Sequence, residues 1–88
     1  MALMFQVELH QRMDALARAV RDDDHARVTE EANALAVGAG VLGLTTLARG
    51  AEAVENAATA GDDALLRQAL HALQCGMHAA LETLRQAG

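Results

Sequence analysis

The chain has 88 residues and a formal charge of −5, and all of its positive charges are arginines. Without a basic patch to contact phosphate backbones, it is not expected to bind nucleic acid. Apolar residues make up 52% of the chain and aromatic residues 1%, with no proline. This composition favours helices over strands and predicts an all-α fold.

The N-terminal segment has neither a basic start nor a long apolar core, and no apolar stretch long enough to span a bilayer follows it. The sequence therefore predicts no signal peptide, no membrane span and a cytoplasmic location. Cys75 is the single cysteine, which excludes an internal disulfide.

The first predicted helix runs from about Leu3 to Arg21. Its apolar side chains recur at steps of three and four and form one stripe: Phe5, Leu9, Met13, Leu16 and Val20. The acidic run Asp22–Asp24 predicts a turn and an N-cap for the next helix, because an aspartate side chain accepts a backbone N–H there. A metal site is the alternative, but adjacent carboxylates lack the alternating ligand spacing of a calcium loop.

The second helix is predicted from about Ala26 to Ala39, and either a break or only a loosened stretch of helix follows near Gly40 to Gly43. The apolar stripe of this helix consists of Val28, Ala32, Leu35 and Ala39. This spacing predicts one face against the core and one face outward.

The third segment is predicted from Leu44 to Ala60, and its buried side is expected to hold Leu44, Leu47, Ala48, Ala51, Val54 and Ala58. Gly61 and Asp62 then read as a C-cap glycine followed by an N-cap aspartate. The fourth helix runs from Asp63 to about Gln86, with an apolar side formed by Leu66, Leu70, Leu73, Met77, Leu81 and Leu84. Four amphipathic helices with short connections predict an antiparallel four-helix bundle, one domain over residues 1–88.

One face of the fourth helix carries His71, Cys75 and His78, opposite the leucines. The spacing and the nitrogen and sulfur ligands are compatible with zinc. The first and last of these residues lie about 10 Å apart along the axis, so a single three-ligand site is a weak candidate. A pair of these residues at a homodimer contact is the more plausible form. Small residues at Gly50 and Gly76 permit the close helix approach that a homodimer would need.

The remaining polar residues give no catalytic pattern, because no nucleophile, base and orienting group can be assigned from spacing. The chain is therefore predicted not to be an enzyme and to need no cofactor. His10 and His25 are expected to be boundary residues. Glu55 lies near the apolar stripe of the third segment and is expected to accept a hydrogen bond from a neighbouring helix.

The outward face of the second helix is small and uncharged. At about 100° per residue, Asn33 lies roughly 160° away from the inward-facing Leu35. Around it we expect the rest of the face: Thr29, Ala36, Val37 and Gly40. An uncharged, partly apolar surface flanked by acidic turns is typical of a docking surface, so these residues are predicted to bind a partner protein.

The segment Glu31–Glu55, EANALAVGAGVLGLTTLARGAEAVE, resembles the signature region of histidine phosphotransfer (HPt) domains. Ala32 matches the alanine before the family's histidine, Val54–Glu55 match its apolar–Glu pair, and Ala57–Asp62 are similar to its turn into the last helix. Further matches to small, glycine and apolar positions of the signature are Leu35, Ala39, Gly43, Leu44 and Leu47. The resemblance implies a four-helix bundle acting in two-component phosphorelay signalling, with receiver domains or histidine kinases as partners.

The departures from the signature are as informative as the matches. The family's phosphoacceptor histidine falls on Asn33, its lysine on Ala36 and the following glycine on Val37. The resemblance therefore implies a bacterial HPt-like domain that docks its partner without accepting a phosphoryl group. Two alternatives remain open: a homo-oligomeric bundle, metal-assisted through the fourth helix, and phosphotransfer at a different histidine, namely His25, His71 or His78.

Overall fold

Four helices joined by short turns make up the described chain, residues 2–87 of a computed structural model. Side chains are described for residues 7–82 and for Gln86. The helices are α1 (Ala2–Arg21), α2 (His25–Val41), α3 (Thr45–Ala60) and α4 (Asp63–Ala87). The all-α four-helix bundle predicted from the sequence is confirmed. The bundle is elongated, 39 × 19 × 18 Å, which matches the length of α4 at about 1.5 Å per residue.

Among the described residues the core consists of leucine, valine, alanine and methionine side chains, and no polar side chain is buried. The predicted stripe of α2 is confirmed, because Val28, Ala32, Leu35 and Ala39 are all buried. The largest fully buried side chains are Leu16, Val28, Leu35, Val54 and Leu73. Ala19 and Ala57 are also buried, beyond the predicted stripes, whereas Leu44, Ala48, Leu70 and Leu81 are only partly buried. The predicted core positions Phe5 and Leu84 lie outside the described side chains.

The turn between α1 and α2 has the predicted N-cap. Asp24 Oδ1 accepts a hydrogen bond from the backbone N–H of Arg27 at 3.2 Å, which satisfies one of the free N–H groups at the start of α2. Asp23 has a positive φ of 54°, a left-handed conformation that few non-glycine residues adopt. The acidic run thus divides its roles, with Asp24 as the cap and Asp23 at the reversal of the chain.

The other two turns are built on glycine. α2 continues through Gly40 to Val41, two residues past its predicted end, and the chain reverses at Gly43, where φ is 75°. Gly61, with φ of 72°, ends α3, and Asp62 Oδ1 accepts the backbone N–H of Leu65 at 3.0 Å. The predicted C-cap glycine and N-cap aspartate are confirmed.

Gly50 allows α3 to approach α4 closely. A Cβ atom at this position would lie 3.0 Å from Leu73 Cδ1, whereas one at Gly76 would meet nothing within 4 Å. The expectation that Gly50 offers a surface for a second copy is therefore wrong, since it is already occupied by packing within the chain. None of the described helices is both long enough and apolar enough to cross a membrane.

Candidate functional site

The outward face of α2 is defined here as Thr29, Asn33, Ala36, Val37 and Gly40. Asn33, Val37 and Gly40 are exposed, and Val37 has 61% of its surface accessible. Thr29 is half-buried, and its Oγ1 donates to the His25 carbonyl at 3.0 Å. Ala36 is also half-buried and packs against the core. The face therefore points outward at its centre, and Thr29 and Ala36 form its edges.

Two exposed apolar residues at the end of α2 were missed from the sequence. Val41 is 81% exposed and Leu42 is 51% exposed. Val41 lies one helical turn beyond Val37, so the two side chains are neighbours on the helix surface. We call Val37, Val41 and Leu42 the apolar end of α2. It was missed because the helix was expected to end at Ala39, although the valine spacing of four was visible in the sequence.

Asn33 is fixed by a residue of the next helix. Its Nδ2 donates a hydrogen bond to Glu55 Oε2 at 3.2 Å, from α2 to α3. The expectation that Glu55 accepts a hydrogen bond from a neighbouring helix is confirmed. The amide of Asn33 therefore uses one of its two donor hydrogens on the protein itself.

The stretch of chain on either side of Asn33 contains no positively charged residue. No lysine or arginine occurs between Arg27 and Arg49, a segment that covers most of α2 and the first turn of α3. Glu30 is exposed, Glu31 is half-buried, and Glu55 contacts Asn33 directly. The residues of α2 after Arg27 therefore offer an approaching anion carboxylates and apolar groups but no cationic side chain.

The histidines lie elsewhere on the bundle. His10 and His78 are exposed, on α1 and α4. His71 Nε2 lies 3.8 Å from Cys75 Sγ, so the structure brings together two of the three weak zinc candidates. Within the described residues these three do not meet in one group. The structure instead brings together possible metal ligands from Asp23, His25 and Asp63. Asp23 lies in the turn between α1 and α2, and His25 and Asp63 are the first residues of α2 and α4.

The four-helix bundle agrees with the result of comparing the sequence with protein families. A family model described as the Hpt domain matches residues 1–87. The chain belongs to the Hpt domain family. Hpt domains are phosphotransfer carriers rather than classical enzymes, and they interact with receiver domains and kinases in phosphorelay signalling. Comparison with curated proteins and with solved structures gives no significant match.

Proposed function

We propose that this Hpt domain docks a receiver domain or a histidine kinase without taking part in phosphotransfer. Asn33 would stand at the phosphoacceptor position, Ala36 at the position of the lysine, and Val37 at that of the glycine. The observation that carries the proposal is the exposed apolar end of α2, Val37, Val41 and Leu42, which begins one helical turn after Asn33. The proposal also includes a single domain over residues 1–88 and a bacterial, cytoplasmic setting.

The chemistry of Asn33 supports the absence of transfer. An imidazole nitrogen can attack a phosphoryl group, but an amide nitrogen is not nucleophilic, since its lone pair is delocalised into the carbonyl. The Asn33 amide is also engaged with Glu55 Oε2 at 3.2 Å. No cationic side chain in residues 28–48 could stabilise a transferred phosphoryl group.

Docking does not require that chemistry. Interface energy is concentrated in a few central residues, and apolar area removed from water contributes about 25 cal/mol per Å² before the costs of association are subtracted. Val37 and Val41, 61% and 81% exposed, supply such area. A domain that covers the partner's active site in this way would compete with an intact phosphotransfer domain and so tune the relay by occupancy.

The test is a Val37→Asp variant titrated by calorimetry against receiver domains and kinase dimerisation elements from the same genome. A buried carboxylate without a partner should weaken binding at least about tenfold. Leu65→Asp is the matched control, because Leu65 is 48% exposed and lies in the first turn of α4, a helix whose described residues do not pack against α2. Both variants should keep the helical circular dichroism of the native chain. Unchanged affinity in Val37→Asp would contradict the docking proposal.

A second candidate function rests on the contact between His71 and Cys75. Two copies of the chain, each giving this exposed pair, would supply the four nitrogen and sulfur ligands of a tetrahedral zinc site. The result would be a zinc-bridged homodimer. Size-exclusion chromatography with zinc and then with a chelator distinguishes it, because a chain that stays monomeric in both conditions rules this candidate out.

A further inference from the structure

We propose that Asp23, His25 and Asp63 form a binding site for a divalent transition-metal ion, with zinc as the best fit. One ligand atom from each residue lies within 4.8 Å of the other two, although Asp63 is 38 residues from His25. The site lies at the start of α2, one helical turn before Thr29, and its charged and imidazole groups differ in chemistry from the uncharged α2 face. It does not rest on the proposed docking function.

The distances suit a metal ion. His25 Nε2 and Asp63 Oδ1 are 3.1 Å apart. Two ligand atoms bound to one tetrahedral zinc ion at about 2.0–2.1 Å lie about 3.3–3.4 Å from each other. The pair is therefore already close to the spacing of two ligands. Asp23 and Asp63 are exposed, so their carboxylates can rotate to complete the site.

The donor types select the class of ion. Two carboxylates and a neutral imidazole balance the charge of a divalent cation, and the imidazole favours zinc, cobalt or nickel over magnesium or calcium. Three protein ligands leave one tetrahedral position for water or for a ligand from solution. A groove of about 740 Å³, lined in part by Asp23 and Asp63, opens beside the cluster and gives that position access to solvent.

The nearby arginines of the described chain do not form ion pairs with the carboxylates of Asp23 and Asp63. Arg21 and Arg67 line the same groove, but among the described side chains neither forms an ion pair with Asp23 or Asp63. The contact that Asp63 does make is with His25, whose imidazole nitrogen can bind the ion in place of a proton. The two carboxylates are thus available to a cation from solution.

The backbone conformation of Asp23 suggests a substitution that separates metal binding from stability. Its φ of 54° is a conformation that glycine adopts more easily than aspartate. Asp23→Gly should therefore keep or improve the stability of the metal-free chain while it removes one ligand. If Asp23 only shapes the turn and binds no metal ion, Asp23→Gly should keep the stability and leave the zinc affinity unchanged.

The experiment uses the full chain in a Cys75→Ser background, which removes the other zinc candidate, and titrates zinc chloride by calorimetry. Cobalt absorption reports the coordination. We expect one ion per chain, a melting temperature that rises with zinc concentration, and much weaker effects of magnesium and calcium. His25→Gln, Asp63→Asn and Asp23→Gly should each lower zinc affinity at least about tenfold, a loss that even outer-sphere changes reach. His10→Gln, an exposed histidine on α1, should leave the affinity unchanged.

The outcomes separate the possibilities. His25 is a partly exposed surface residue, so His25→Gln should fold, and circular dichroism checks this directly. Equal zinc affinity in His25→Gln and in the Cys75→Ser parent would overturn the proposal, as would no zinc binding by that parent. None of these readouts involves a receiver domain, so failure of the metal site is distinguishable from failure of the docking function.

Discussion

Asn33 on α2 donates a 3.2 Å hydrogen bond to Glu55 on α3, across the seam between the two helices. Asn33 is exposed and Glu55 half-buried, so water competes with this contact. The hydrogen bond thus positions the amide at the centre of the α2 face more than it stabilises the bundle.

A double-mutant cycle measures this contact. Asn33→Ala, Glu55→Ala and the double variant should give a coupling of about 0.5–1 kcal/mol in the free energy of unfolding, measured with urea. The control cycle combines Asn33→Ala with Glu52→Ala. Glu52 is an exposed carboxylate on the same helix as Glu55, and this cycle should give a coupling near zero. A coupling above about 2 kcal/mol would mean that the contact is part of the folded core.

Reinstating the family's residues should recover phosphotransfer only when the charge and the space return with the nucleophile. The triple variant Asn33→His, Ala36→Lys and Val37→Gly should accept an acid-labile phosphoryl label from a phosphorylated receiver. Asn33→His alone should be labelled at least about tenfold more slowly, because no cation stabilises the transferred group.

The native chain and the double variant Ala36→Lys, Val37→Gly are the controls for this labelling, and both should remain unlabelled. Acid-labile label on the native chain would point to His25, His71 or His78 as a relocated site. Such a label would contradict the proposal that this domain takes no part in phosphotransfer.

The two glycines in the interiors of α3 and α4 should respond differently to alanine. Gly76→Ala should raise the free energy of unfolding by about 0.5–1 kcal/mol, because alanine restricts the unfolded chain and its Cβ meets nothing within 4 Å. At Gly50 the new Cβ would lie 3.0 Å from Leu73 Cδ1, and Leu73 is 2% exposed and cannot easily move.

Gly50→Ala should therefore be less stable than Gly76→Ala by at least about 1 kcal/mol in urea denaturation, since overpacking a core opposes the gain in helix propensity. Equal stabilisation by both substitutions would show that the α3–α4 contact is looser than the structure has it.

The fold could be predicted from the sequence to a large extent because its signals are local. The spacing of Val28, Ala32, Leu35 and Ala39 gave the buried side of α2, and Gly61 with Asp62 gave the boundary before α4. The end of α2 was predicted too early. A single glycine such as Gly40 costs a helix only about 1 kcal/mol, which the packing of Ala39 can offset.

The sites were less predictable because they depend on contacts between distant residues. Glu55 was expected to accept a hydrogen bond, but its donor, Asn33, is 22 residues away and could not be named. The approach of Asp63 to His25 spans 38 residues and joins the first residues of α2 and α4, two helices whose described residues do not pack against each other. Local patterns carry no information on such pairs.

The residues of the α2 face and the residues of the core hardly overlap. Of the five face residues, Ala36 is the one that packs against the core, while Asn33, Val37 and Gly40 are exposed. Mutations at these three positions therefore have little effect on folding, and selection can act on them almost independently of stability. The outer surface of such a domain can therefore change while the core that holds the four helices together stays the same.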